Sequence, residues 1–522
     1  ASGAVTMGSA DLAGLLSVVT PGAVALTGSV GAGSVDINAG SIGVGAIVAR
    51  TGDLALRSVA GLTISNAQAA GNVLLRSTGG SLTVGSALAG GALTLGGVGI
   101  GAQALASGGN ALLDAGAGDL VVNDIAARGA ITALGRAVSL AASGAMTIAD
   151  VTGGGTVTLN AGGVMSVAGR ISGGSVSLAS GDIVIGGAAQ IVTAGQLRFA
   201  ATGAQAAVVG GADAAGGYSL SAAELARVAA GSMLISGAGD IMVRDLTIGT
   251  AVLPAAGVLS IVSPGRLRVE GALRMTGPSG LGGLSLAAGQ RIEVIANTGF
   301  IDLSDGNGGL AGVLTLSSPA VYAASLAAIA DVDAASSLGA REQRLALNDG
   351  LVSDAGLLRA RAIRIDASRG IYVQNSGVSA SFPARRGFTA GSLSITGGTG
   401  QPEIAINGRL LLATGAYATG LSTIPLVAIA GSYAAGSKIN GCLIASAGAC
   451  ASSGEESRDS FEGRLDPTVS ITRNFGLALV QLRDLVAQGY PPLIDEPVTG
   501  AGNEDLWDAH CGGEGEPACA AP

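Results

Sequence analysis

The sequence predicts an all-β protein: a right-handed parallel β-helix (β-solenoid) with about 19–20 residues per coil and a less regular acidic C-terminal tail. Three observations predict it: a recurring V-x-L or L-x-L unit, a heavy load of glycine, and a charge balance that separates a neutral body from an acidic end. The units Val35-Asp36-Ile37, Leu54-Ala55-Leu56, Val73-Leu74-Leu75 and Leu93-Thr94-Leu95 begin 19, 19 and 20 positions apart. The same beat returns at Val138-Ser139-Leu140, Val157-Thr158-Leu159 and Val176-Ser177-Leu178. Two apolar residues around a small or polar one is strand alternation, with two side chains inward and one outward.

After each unit and a Gly-containing turn comes a second short strand: Leu62-Thr63-Ile64, Leu82-Thr83-Val84, Met146-Thr147-Ile148, Met165-Ser166-Val167 and Ile183-Val184-Ile185. Two strands and two or three corners per repeat describe one coil, and successive coils would stack about 4.8 Å apart in parallel. Glycine, 89 of 522 residues, then serves the corners, some of which need φ > 0. Disorder, the other reading of a Gly-rich chain, conflicts with a 48% hydrophobic composition whose apolar residues are periodic. No coil buries its face alone, so stability accrues by stacking. About 20 coils would give a rod on the order of 95 Å long.

Residues 1–450 read as the rod, regular over 20–200 and interrupted over 200–450, where units such as Leu284-Ser285-Leu286, Leu314-Thr315-Leu316 and Ile363-Arg364-Ile365 keep the beat with interruptions. Two segments break strand alternation, Ala223 to Ala230 and the Ala-rich Tyr322 to Ala340, and are expected as short helices or loops set off the coils. Leu410 to Ser437 is long and uncharged, but Pro425 and its glycines favour strands over a membrane helix. Residues 451–522 form an acidic linker and tail with a short helix near 470–488. They hold 13 acidic and 4 basic residues, which accounts for the whole net charge of −9 and leaves the first 450 residues neutral. With Lys438 the only lysine, no basic stripe for nucleic acid is present.

Reactive groups are scarce. Cys442 with Cys450 and Cys511 with Cys519 share one spacing, lack zinc-site spacing, and read as local disulfides formed in an oxidising compartment. His510, the only histidine, adjoins Cys511, where a disulfide would remove the thiolate that catalysis needs. Carboxylates recur at Gly-Asp corners, Asp53, Asp119, Asp182 and Asp240. Each lies roughly three coils, or about 14 Å, from the next, too far to share a calcium ion, so turn chemistry is the expected role. The Asp302 to Gly309 stretch has some calcium-loop character without a repeated nonapeptide. Arg359, Arg361, Arg364 and Arg369 cluster near Asp366, the first place to look for activity, although outward arginines paired with neighbours explain them too. No catalytic residue, cofactor or metal is predicted.

The repeats TVTLNAGGVMSVAGRISGG and SVSLASGDIVIGG resemble those of filamentous-haemagglutinin-type exoproteins of bacterial two-partner secretion, over residues 20–200 and more loosely to 440. The segments NGCLIASAGAC and LIDEPVTGAGNEDLW resemble the C-terminal ends of such proteins. The resemblance implies a secreted or cell-surface adhesive fibre, exported through an outer-membrane β-barrel transporter, with roles in aggregation or biofilm formation. The family's N-terminal secretion domain is not seen in residues 1–60, so the chain reads as the downstream part of a longer precursor. The expected function is therefore a structural or adhesive fibre, not an enzyme, stacking end to end and meeting a host surface, a neighbouring cell or a polysaccharide. A polysaccharide-degrading β-helix enzyme and the stalk of a contact-dependent toxin-delivery protein are the alternatives.

Overall fold

A computed structural model describes residues 3–374 apart from 215, 278–281, 297, 306–310, 338–339, 342–343 and 346–357. Beyond 374 it describes the backbone of 388–396, 403–407, 410–412, 438–439, 442–446 and 449–451. The chain is a parallel β-solenoid: every described strand pairing from Val5–Met7 through Leu410–Leu412 is parallel and joins one coil to the next. On one face the equivalent rungs are Leu62, Leu82, Ile100, Leu120, Val138, Val157, Val176 and Leu197, a nearly even spacing that matches the expected period.

Each coil has three faces, one more than the expected pair of strands. Val35, Leu54, Val73, Leu93, Ala111 and Ile131 stack on the first face. The Leu62 to Leu197 series makes the second. Ile47, Ala67, Ala87, Leu105 and Ile125 stack on the third, which continues through Met165, Ile183 and, further on, Ile241, Leu267, Ile292 and Val321. The two sequence beats thus belong to different faces: the units at Val35 to Leu93 lie on the first, those at Val138 to Val176 on the second. Both faces carry the same in-out-in alternation, which a linear pattern cannot tell apart.

Inward residues form one continuous core down the axis, with Leu54, Leu56, Leu75, Leu93 and Leu95 fully buried. Each such side chain contributes roughly 1.5–3 kcal/mol. Corners are tight, and their glycines are there chiefly because stacked corners touch. A Cβ at Gly80 would overlap the Ala60 carbonyl of the coil below, and one at Gly71 the Asp53 carboxylate. Among the described residues only six glycines hold positive φ, so close approach outweighs the expected need for left-handed backbone.

After residue 200 the coils lengthen. Leu259, Leu284, Leu314 and Ile363 occupy successive rungs of the second face, each step wider than the one before, the last more than double the regular period. That face holds seventeen rungs from Val5 to Leu393, about 77 Å at roughly 4.8 Å per rung. The described rod is shorter than uniform coils would make it because the added residues leave the ladder as loops and helices.

The first excursion carries helix α1 (Ala222–Leu225) and the second helix α2 (Leu326–Ala334). Helix α1 begins one residue before the first segment expected to leave the coils and α2 lies within the second, but Val228–Ala230 and Tyr322–Ala324 of those segments belong to the strands Val228–Ser236 and Ala320–Ala324. Around α1 the third face gains a rung out of order: Ser219–Leu220 pairs with Ala207–Val209 and packs against Asp182–Ile185. Ser221 caps α1 in a reciprocal box with Glu224, whose buried carboxylate also accepts the Ile185 N–H at 2.7 Å. A side chain thereby satisfies a strand donor that the interrupted ladder leaves open.

No described helix is long and apolar enough to cross a membrane. Most of Leu410 to Ser437, the expected helix near 470–488, His510, Cys511 and Cys519 lie outside the described residues. Cys442 and Cys450 sit on the antiparallel strands Cys442–Ser446 and Ala449–Ala451, with Cys450 opposite Ile444; their side chains lie outside the described residues.

Candidate functional site

The Gly-Asp corners are clamps between coils. Asp53 Oδ1 accepts the backbone N–H of Asn72 at 2.7 Å, Asp119 that of Ala137, Asp182 that of Ser219 and Asp240 that of Arg266. Each carboxylate sits just before a strand, or in the case of Asp182 opens it, and caps the equivalent position one rung on. Asn72, Asn110 and Asp245 likewise accept the N–H of Ala92, Ala130 and Ala272 one rung on, and Asp124 and Asp150, from within their strands, accept those of Ser143 and Arg170. Asp53 opens a strand of the first face, Asp119 of the second, and Asp182 and Asp240 of the third, so the four expected corners share no common edge. Turn chemistry is part of their role, but the acceptor reaches the next coil rather than its own turn.

The outward surface of the regular coils offers little chemistry. Thr63, Thr83, Ser139, Thr158 and Ser177 line the second face as a row of hydroxyls broken by Gly101 and Val121. Isolated ion pairs such as Arg57 with Asp36 and Arg136 with Asp119 are exposed, where such pairs contribute little.

The long coils differ. On the third face the outward positions Arg268, Glu293, Tyr322 and Tyr372 stand one above another in register. Glu293 is fully buried and lies 2.6 Å from Arg268 Nε and 2.5 Å from Arg291 Nε. Burial opposes the charge on both arginines, yet their acidic partners, Glu293 foremost, hold each guanidinium above its ordinary pKa. Tyr322 stacks on Tyr372 with ring centroids 5.0 Å apart, and the Arg291 guanidinium lies over the Tyr322 ring at 5.5 Å.

Helix α2 closes this face from outside. Ser325 caps it by accepting the Ala328 N–H, and Ala328, Ile329 and Val332 pack with Ile295, Tyr322 and Tyr372 into a second, external apolar cluster. Asp333, at the end of α2, accepts the Tyr322 hydroxyl at 2.7 Å and pairs with Arg291 at 2.6 Å. Burial first, then the bond to Asp333, raises the Tyr322 phenol far above its usual pKa, so it stays a proton donor. Tyr322 therefore acts as a pillar that fixes α2 to the coil stack.

Between α2 and the corner joining the second and third faces lies a half-open cleft of about 670 Å³. Its floor follows that corner over four rungs, through Arg266, Gln290, Pro319 and Arg369. Backbone bonds tie these rungs together, Gln290 N–H to the Gly265 carbonyl at 3.0 Å and Arg369 N–H to the Pro319 carbonyl at 2.7 Å. Arg266 is neutralised by Asp240, whose carboxyl burial pushes up but the Arg266 backbone N–H and guanidinium hold below its ordinary value. Arg369 has no carboxylate partner among the described residues, and the Gln290 side-chain amide has no hydrogen bond among them.

Of the arginines expected to cluster near Asp366, only Arg369 lines the cleft. Arg359 turns to Asp302, 3.9 Å away, while Arg361 and Arg364 are exposed on the strand Leu358–Asp366. Asp302 is thus engaged at its strand, and residues 306–310 of the expected calcium-like stretch lie outside the described residues. Glu293, Tyr322, Tyr372 and Asp333 were not among the expected site residues. The S-x-x-E box at Ser221–Glu224 was the one local signature available for the excursions. No protein-family model, curated protein or solved structure matches this chain.

Proposed function

We propose that the chain is an extracellular structural and adhesive fibre segment, in which regular coils act as a rigid spacer and the long coils present a binding surface. The observation that carries this reading is the division of labour along one continuous core. Evenly spaced short coils from Leu62 to Leu197 present plain outward rows, and the widening coils from Leu259 to Ile363 build a lined cleft. A solenoid of stacked coils is stiff because each rung is bonded along its length to two others. Export through an outer-membrane β-barrel transporter, cell-surface placement and end-to-end self-association belong to this proposal by the family resemblance.

A polysaccharide-degrading enzyme is the second reading, and the cleft is what favours it. Hydrolysis of a glycosidic bond ordinarily uses two reachable carboxyl groups. Among the described residues lining the cleft only Asp333 offers one, already engaged by Tyr322 and Arg291, while Glu293 is sealed beneath two arginines. That arrangement suits binding better than acid–base chemistry. Beads coated with the purified chain, applied to bacterial and polysaccharide-coated surfaces, test the proposal: adhesion above uncoated beads supports it. Steady release of reducing ends or unsaturated products from a polysaccharide panel, lost on Asp333→Asn, would replace it with the enzyme.

A further inference from the structure

Resting on the adhesive reading, we propose that the cleft between α2 and the second-to-third corner binds a carboxylated sugar of an acidic polysaccharide. Arg369 takes the carboxylate and Gln290 the hydroxyls of a neighbouring ring. Of the four arginines lining the cleft, Arg369 is the one whose charge is left over: Arg266 is spent on Asp240, Arg291 on Glu293 and Asp333, and Arg341 is also engaged. Its planar fork matches a carboxylate in two parallel N–H···O bonds.

Gln290 presents both a donor and an acceptor, the pair a sugar hydroxyl uses. It stands two rungs from Arg369, about 10 Å away, with Pro319 between them. A ligand of two or three sugar rings lying along the rod spans that distance. Pro319 and Ala320 line the floor between Gln290 and Arg369, and a volume of about 670 Å³ is within the range of small-ligand sites. The Tyr322 ring is already sandwiched between Tyr372 and Arg291, so it shapes the wall and does not stack on the sugar. A single surplus cation is too little for a nucleic-acid backbone, whose affinity comes from many phosphate contacts.

The test is titration calorimetry of the full chain with trigalacturonate, with maltotriose as the neutral probe and inorganic tripolyphosphate as a non-sugar anion. Trigalacturonate is expected to bind, and Arg369→Gln to weaken it about tenfold or more, the size of one charge-assisted contact. Arg369→Lys should recover part of the loss, Gln290→Ala should cost a few-fold, and maltotriose should bind far more weakly. Arg369 is exposed, so each variant is expected to keep the wild-type circular dichroism spectrum. Undiminished binding by Arg369→Gln, equal binding of maltotriose, tighter binding of tripolyphosphate, or no binding of trigalacturonate would each overturn the assignment. If trigalacturonate fails while coated beads still adhere, this inference falls alone; if it binds while beads do not adhere, the adhesive reading falls and the site stands.

Discussion

The coils before residue 200 and those after it share one core but use their corners differently. In the first region a corner is short, and its geometry is consumed by stacking: Gly80 lies against the Ala60 carbonyl and Asp53 bonds the next coil. In the second region the step from Leu314 to Ile363 is long enough to send α2 out and back and to set Tyr322 and Asp333 against a cleft. Coil length beyond the regular period is therefore what converts a scaffold into a surface with chemistry.

Substitutions can break or sharpen that contrast. The largest effect is expected at an inward position of the regular region, where Leu75→Ala should cost about 2–5 kcal/mol in urea unfolding. The outward Val184→Ala, 46% exposed, should stay within about 0.5 kcal/mol. Next, Gly80→Ala should destabilise by about 1–3 kcal/mol because its methyl group meets backbone, whereas Gly101→Ala, with nothing within 4 Å, should be neutral or stabilising. Equal effects of the two would refute close approach as the reason for glycine at the corners.

In the long-coil region Glu293→Gln should cost about 1–3 kcal/mol, since Arg268 and Arg291 lose their buried partner. Faster amide exchange in α2 should accompany it, because Arg291 also holds Asp333. Asp53→Ala should cost about 0.5–1.5 kcal/mol and speed exchange at the Asn72 amide, with Asp53→Asn nearly silent because an acceptor oxygen remains.

The smallest effect is on pH dependence. The hydrogen bond from Arg136, then its charge, holds Asp119 below its ordinary pKa. A depressed folded-state value contributes stability that is present above the unfolded value, about 3.9, and is lost as pH falls through the folded value. Between about pH 5 and pH 3 the wild-type chain should thus lose slightly more stability than Arg136→Gln, measured as the shift of the urea midpoint. A larger loss in the variant would contradict the sign.

What could be read from the sequence follows from which residues carry a strong signal. Faces one and two were legible because Val, Leu and Ile alternate with small residues, as in Leu54-Ala55-Leu56. The third face was hidden in the early coils, where its inward residues are often alanine, and showed only later, in units such as Met165-Ser166-Val167 and Ile183-Val184-Ile185. In Ala87-Leu88-Ala89 the alanines are buried and the leucine is 44% exposed, the reverse of what hydrophobicity suggests. A coil count based on the early period overshoots because residues 200–400 do not keep that period. The cleft was illegible for a different reason: Gln290, Pro319 and Arg369 are neighbours only through stacking of coils of unequal length. Arg369 stood out as part of an arginine-rich stretch, but nothing linear separated it from Arg359, Arg361 and Arg364.

Hydrogen-exchange mass spectrometry of the full chain, with and without trigalacturonate, tests most directly the claim that the regular coils are scaffold and the long coils carry the site. Added protection is expected in peptides covering 289–291, 318–334 and 368–372, with residues 54–201 strongly protected in both states and unchanged by ligand. Ligand-induced protection within 54–201, or none around the cleft, would contradict it.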